Sequence, residues 1–416
     1  MMSVSTLRSP LGLLIRAALA SLAALILIGP AAAAPADLVG RWRLSMDHGG
    51  GPLPVGLEVR QTGGRWQAWL LNPPERLAVE QVSVEGDKLV LAFPSYNSTV
   101  TLNVAGPGQL TGTAQLIRST GPVARPVTAT RATYRFSASP RKPAADLTGR
   151  WTVTSGSTKP VTGLAQFTQK GNLVSGSVQF PSGDTRFLAG ELDGDTLRLS
   201  HFDGSASGIW TAKLENGVLT GGSFGVATVT PTPWTAKRAD AAGFKAVAVE
   251  GPGAQRWDFK FPDASGRQVS LSDARFKGKV VVITLGGAWC PNCHDEALFV
   301  VPYAKRRQKE GLELIGLQFE YGTDPVRAFR QVNSFAKRYG ITYPLLLAGE
   351  PTPESSKAAL GPLGPVKVYP STIFVGRDGR VREVHVGWAG PATGKLHDAA
   401  KKEFDETVSK LLRERA

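Results

Sequence analysis

The sequence predicts a multidomain chain, with two tandem antiparallel β-barrel (or sandwich) modules followed by an α/β domain. A block of roughly one hundred residues is written twice within the first 240 positions. From Trp257 onward, short alternating runs give way to strands that alternate with helices. The two cysteines of the chain, Cys290 and Cys293, fall where a β-branched run turns into a helical one. A length of 416 residues is consistent with two to four such units.

The repeat is carried by its two ends. Asp37-Leu38-Val39-Gly40-Arg41-Trp42 recurs as Asp146-Leu147-Thr148-Gly149-Arg150-Trp151. Val127-Thr128-Ala129-Thr130-Arg131-Ala132 is answered by Trp234-Thr235-Ala236-Lys237-Arg238-Ala239. From the opening Gly to the late Arg is 91 positions in the first copy and 89 in the second. Between them lie about eight short alternating runs per copy, separated by turns such as Asp193-Gly194-Asp195 and Glu215-Asn216-Gly217. That spacing predicts an antiparallel barrel or sandwich in each copy, spanning 37–136 and 146–239. Gly/Pro/Ser-rich stretches at 137–145 and 240–254 read as linkers. The Gly-Arg-Trp opening with an Arg on the last strand resembles lipocalin-like barrels. The resemblance implies a late Arg lying over the first-strand Trp as a cation–π lid. Barrels of this size are expected to be filled by their own side chains.

Residues 1–36 have the pattern of a signal peptide. Arg8 and Arg16 precede an apolar core from Ala17 to Ile28, then Gly29-Pro30 and an alanine run with cleavage expected after Ala33 or Ala36. An uncleaved anchor is the alternative. The formal charge is +14, or +12 without Arg8 and Arg16. Its basic residues are dispersed and lack aromatic interleaving, so nucleic acid is not an expected partner.

In the third unit, 255–416, the run Val280–Leu285 predicts a buried strand and Ala297 onward an amphipathic helix. Leu312–Phe319 predicts a second strand, parallel to the first. Asp324-Pro325 opens a helix to about Arg338, with Asp as cap and Pro in the first turn. Thr372–Val375, the turn Arg377–Arg380 and Val381–Val386 form a hairpin, and a helix from about Lys395 to Arg413 closes the chain. A dithiol at the strand–helix junction lies at the positive end of the helix dipole, where a thiolate is stabilised. Two cysteines with two residues between them close almost no loop. A bridge there cannot restrict the unfolded chain, and redox use is favoured over a structural one.

This order of elements resembles a thioredoxin fold. More specifically, Asp258-Phe259, Gly278-Lys279-Val280, Trp289-Cys290-Pro291-Asn292-Cys293, Glu296 and Tyr369-Pro370 through Asp378-Gly379 resemble the TlpA/ResA family of exported thiol-disulfide oxidoreductases, over about 160 residues. The resemblance implies that Cys290 attacks, Cys293 resolves and Glu296 is the active-site acid. It also implies that Pro370 is a cis-proline facing the dithiol, and that Trp289, Pro291, Tyr369 and Pro370 meet the substrate. No cofactor is expected beyond a redox-active Cys290–Cys293 disulfide. The first cysteine is expected to be exposed at the helix end. Thr284 stands where thioredoxins carry a buried Asp, Leu298 where a kinking Pro is common, and Tyr369 is bulkier than its usual counterparts.

Three rival readings share the motif. Cys290-Pro291-Asn292-Cys293-His294 also spells a c-type haem attachment sequence, yet Met1, Met2 and Met46 are the only methionines and none follows it. Zinc on Cys290, Cys293 and His294 would lack a second ligand pair. A peroxiredoxin would need its cysteine in another loop context. The expected function is an exported, periplasmic protein-disulfide reductase supplied with electrons by a membrane dithiol. Apocytochrome or metallochaperone cysteines are the plausible substrates. The alternative is a binding protein whose β modules hold a ligand or partner.

Overall fold

A computed structural model describes residues 38–225, 230–239, 248–250 and 256–415. The expected signal peptide and most of the second expected linker lie outside the described residues. Each repeat opens with the same local device. The indole N–H of Trp42 donates to the Leu38 carbonyl at 2.9 Å, and that of Trp151 to the Leu147 carbonyl at 2.9 Å. The guanidinium of Arg131 lies 3.9 Å from the Trp42 ring centre, and that of Arg238 lies 4.5 Å from that of Trp151. The late Arg thus covers the early Trp in both copies.

The copies differ in closure. In the second, Val161–Lys170 pairs with both Gly149–Ser155 and Leu173–Phe180, which closes an eight-stranded barrel. The first is a nine-stranded sheet whose edge strands, Glu75–Ala78 and Gln81–Glu85, do not pair with each other, so it stays open. Alternation sets the faces: in Lys88–Phe93 the inward Leu89, Leu91 and Phe93 are buried.

The third sheet runs Ala248–Glu250, Val381–Val386, Ser371–Val375, Val280–Gly286, Leu312–Phe319, Leu345–Gly349. Its central strand is parallel to Leu312–Phe319 and antiparallel to Ser371–Val375. Every residue of Val280–Gly286 is buried because both faces are covered. Val280 and Val282 pack with Val300, Phe404 and Val408, from helices α1 (Pro291–Arg307) and α4 (Lys395–Arg413). Val281 and Ile283 pack on the other side with Leu346 and Leu360. Helix α2 (Pro325–Tyr339) starts as expected, with Asp324 accepting from the Val326 N–H at 2.9 Å. The strand Leu345–Gly349 and helix α3 (Pro353–Leu360) were not foreseen. The expected 240–254 linker contributes the edge strand Ala248–Glu250. The 137–145 segment is tied down through Arg141, which bonds Asp193 by backbone and side chain.

The β modules do not trail from the third domain. The turn Pro94–Tyr96 of the first module sits on α2, where the Gln331 amide donates to the Ser95 carbonyl at 2.5 Å and Arg338 bonds Glu80 at 2.6 Å. The second module reaches α1 through Arg186 and the loop before Lys395 through Asp184, which accepts from the Gly390 N–H at 2.6 Å. Arg135 ties the two modules together, bonding the Leu71 carbonyl, Asn72 and Ser200. The dithiol therefore lies in the seam between domains.

Candidate active site

Cys290 is the N-cap of α1, its sulfur accepting from the Cys293 N–H at 3.3 Å, and the two cysteines are joined as a disulfide. Pro291 occupies the first helical position, where its missing N–H costs nothing. The orphan N–H groups of this turn and the helix dipole favour negative charge on sulfur.

Contrary to expectation, Cys290 is not exposed: it is 4% accessible, and Cys293 is 5%. The cause is the second module. Its short strand Gly183–Asp184 is laid against Asn292, and Gly183 (φ +126°) has room for that contact only because it lacks a Cβ. Arg186, itself in left-handed backbone geometry at φ +60°, places its guanidinium 3.0 Å from the Pro291 carbonyl oxygen and 2.8 Å from the Asp295 carboxylate. Asp203 and Glu75 approach the same guanidinium at 3.7 and 3.5 Å. Burial pushes the Asp295 carboxyl up to about 8, against the pull of Arg186. Burial likewise raises Asp184 and Glu75.

Glu296 lies beneath the dithiol, 4% accessible, with Thr372 Oγ1 donating to it at 2.6 Å. Burial pushes its carboxyl up to about 8. Glu296 and Cys293 line one small cavity of about 20 Å³ together with Thr284 and Gln318. That is room for about one water, and the walls are polar enough to hold it. A carboxyl with a thiol-like proton affinity thus shares an enclosed space with the second cysteine.

Trp289 is half-buried, its indole N–H donating to the Phe319 carbonyl at 2.8 Å, stacked 4.9 Å from Tyr321 and edge-on to Tyr369 at 5.6 Å. The Tyr369–Pro370 bond is cis, and the Pro370 carbonyl accepts from the Gly387 N–H at 2.9 Å. Trp289, Cys290, Pro291 and Tyr369 all line one cavity of about 490 Å³ that the end of the second barrel completes. The cavity lies between that barrel's end and the third domain, while the barrel interior is packed by its own side chains, Trp151, Phe167, Leu197 and Leu199 among them.

His294 is engaged inside the protein. One ring nitrogen meets the Ala288 carbonyl at 2.8 Å, the other the Tyr339 hydroxyl at 2.8 Å, and Tyr96 of the first module stacks on the ring at 4.1 Å. The carbonyl can only accept, so Nε2 carries the proton and Nδ1 accepts from Tyr339. Burial holds the imidazole neutral, well below its ordinary value. Neither nitrogen is left for iron or zinc.

A family model described as the AhpC/TSA family matches residues 252–384. The chain is 30% identical over 135 residues to the thioredoxin-like protein YneN of Bacillus subtilis (strain 168), covering 32% of this chain and 71% of that protein. The chain belongs to the thioredoxin-like family. A second relative of this thioredoxin-like protein is the thiol-disulfide oxidoreductase ResA of Halalkalibacterium halodurans, 24% identical over 156 residues, covering 38% of this chain and 76% of that one. Among solved structures, a thioredoxin-family thiol:disulfide interchange protein from Chlorobium tepidum TLS is 25% identical, covering 37% of this chain and 93% of that one, with a TM-score of 0.29. In a thioredoxin-like domain, a Cys-x-x-Cys pair at a helix N-terminus is placed for thiol-disulfide exchange.

Sequence reasoning missed three parts of this site. Glu320, at the end of the strand Leu312–Phe319, accepts from the Ala288 N–H at 2.7 Å, and burial pushes it up to about 8. In sequence it reads as an acid in a turn. Arg186 and Tyr96 lie in β modules with no chemical signature of their own, and only tertiary contact reveals them.

Proposed function

We propose that this protein reduces disulfides in exported proteins. The Cys290 thiolate attacks one substrate sulfur, forming a mixed disulfide and releasing the other sulfur as a thiol. Cys293 then attacks Cys290, freeing the second substrate sulfur and leaving the Cys290–Cys293 disulfide. Two electrons pass to the substrate, and a dithiol donor at the membrane returns them. Glu296 takes the Cys293 proton as that thiol becomes a nucleophile. The signal-like 1–36 segment supports a periplasmic setting. Trp289, Pro291 and Tyr369 form the wall against which the substrate lies, with the buried cis-Pro370 following Tyr369 in the chain, and apocytochrome or metallochaperone cysteines are suitable targets. The observation that carries this reading is a helix-capping Cys290 bonded to Cys293, with Cys293 sharing an enclosed space with a buried Glu296 whose raised proton affinity suits it to accept a thiol proton.

The deciding experiment pairs a trap with a potential. A Cys293→Ser variant is expected to accumulate a mixed disulfide through Cys290 with exported proteins. The unmutated dithiol is expected to equilibrate with glutathione at a reducing potential. Absence of any trapped partner, or a potential as oxidising as about −120 mV, overturns the reductant assignment.

A further inference from the structure

The open end of the second barrel and the dithiol enclose the same space. On one side of the 490 Å³ cavity are Trp289, Cys290 and Tyr369, and on the other Phe180, Trp210 and Phe224. Since Cys290 is almost fully covered elsewhere, a substrate sulfur must approach it through this space. We infer that the barrel end is a side-chain pocket selecting disulfides on extended, locally unfolded segments that carry an aromatic or large aliphatic residue beside the cysteine. This deepens the proposed function and rests on it.

Size is the first argument. A cavity of about 490 Å³ falls within the roughly 300–1,000 Å³ range of sites that swallow small groups. A folded partner instead needs to bury on the order of 800 Å² of its own surface against an open face. Offering such a face would mean withdrawing the second module against the Arg186–Asp295 ion pair and the Asp184–Gly390 hydrogen bond. A chain segment needs no such withdrawal.

Wall chemistry is the second. Trp210 stacks with Phe180 at 6.4 Å and leans on Trp234 at 5.2 Å, giving an aromatic floor. The charged groups around it are already committed. Arg186 is held by Asp295, Asp203 and Glu75, and Asp184 by Gly390 and the Arg186 N–H. Burial, reinforced by Arg186, keeps His201 neutral, with its value lowered to about 3. Among the described residues, the barrel end thus offers aromatic surface rimmed by hydroxyls, including Ser223 and Thr232, and no uncommitted charge. That surface suits an apolar side chain attached to the reacting cysteine. In the reaction, one S–S bond of the segment breaks as the Cys290–S bond forms, and the leaving sulfur departs protonated. The dithiol is oxidised by two electrons when Cys293 closes the ring.

The test is single-turnover oxidation of the reduced full-length chain, followed by tryptophan fluorescence. Three probes are used: disulfide-linked dimers of a hexapeptide with Trp beside Cys, the same peptide with Ala in that place, and folded insulin. The Trp peptide is expected to react at least tenfold faster than the Ala peptide and than insulin. Thr232→Trp, which fills the rim, and Trp210→Ala, which removes the floor, should each reduce the Trp/Ala ratio toward one. Iodoacetamide labelling of Cys290 checks that the thiol itself is intact in both variants. Equal rates for the two peptides, or insulin matching the Trp peptide, overturn the inference while leaving the disulfide chemistry in place. Failure of all three probes to oxidise the dithiol overturns the proposed function itself.

Discussion

Replacing Glu296 by Gln preserves volume and a hydrogen-bond acceptor for Thr372 Oγ1, but removes the group able to carry a proton beside Cys293. In the folded chain the Glu296 carboxyl is raised to about 8. An unperturbed thiol loses its proton near pH 8.5. A carboxyl raised that far accepts a thiol proton more readily than an ordinary carboxylate, which suits Glu296 to receive the one from Cys293. An amide cannot accept that proton, and the surrounding space has room for only about one water, a poor base. Losing a matched general base slows its step by about 10²-fold or more, equivalent to about 2.7 kcal/mol. The slowed step is resolution by Cys293. Attack by Cys290, which depends on the helix end, should change by less than about threefold. Stopped-flow fluorescence with acid-quench mass spectrometry separates the two, and the variant should accumulate mixed disulfide that the parent does not. The parent resolution rate should climb through about pH 8 and then level, while in Glu296→Gln it should keep rising with the thiolate fraction. Resolution within threefold of the parent, or an unchanged inflection near pH 8, would refute the role given to Glu296.

Other consequences follow from the seam. All five histidines are held below their ordinary value, so above about pH 7 they are neutral whether the chain is folded or not. Asp295, Glu296 and Glu320, raised to about 8, then bind more protons folded than unfolded, and stability must fall as pH rises from 7 to 8.5. The loss is at most about 1.4 kcal/mol per pH unit for each group, and a urea midpoint that stays flat or rises would contradict it. Arg186→Met removes the guanidinium that meets the Pro291 carbonyl and the buried Asp295, Asp203 and Glu75, leaving those groups short of a donor, and should lower the urea midpoint. Iodoacetamide should then label reduced Cys290 at least tenfold faster, and an unchanged rate would mean the module does not cover the thiol. Tyr96→Ala removes the ring stacked on His294 and should cost about 0.5–1.5 kcal/mol beyond lost area, read as a lower urea midpoint. Arg131→Ala and Arg238→Ala each uncover a Trp and should destabilise by a similar amount, about 0.5–2 kcal/mol; a large inequality would show that the two lids are not equivalent.

What the sequence disclosed and what it hid divide along contact distance. The strand Val280–Gly286, the cap at Asp324, the hairpin ending at Val386 and helix α4 are written in local periodicity and turn chemistry, and the structure has them where the pattern puts them. The Trp–Arg lids were legible because duplication prints the same long-range pair twice, each copy supporting the other. The strand Leu345–Gly349 was overlooked because Leu345-Leu346-Leu347 is short and only half-buried in part, without a period of its own. Burial of Cys290 was not foreseeable, for a helix N-terminus looks exposed until something far away is laid over it. Here that something is Arg186, whose side chain meets a helix turn more than one hundred residues later.

That cover changes what the dithiol must do. On an open thioredoxin-like surface, helix-end electrostatics alone set how fast Cys290 reacts. Beneath the second barrel, reaction also requires a substrate that fits the cavity or a module that moves, and the two possibilities respond differently to one substitution. If substrates enter the cavity, Arg186→Met relaxes the choice between Trp- and Ala-flanked peptides and lets insulin in. If the module must swing away on every turnover, the same change accelerates all three probes by a common factor and leaves their ratios intact. The ratio, more than any single rate, therefore tells whether the β modules form a binding wall or a gate.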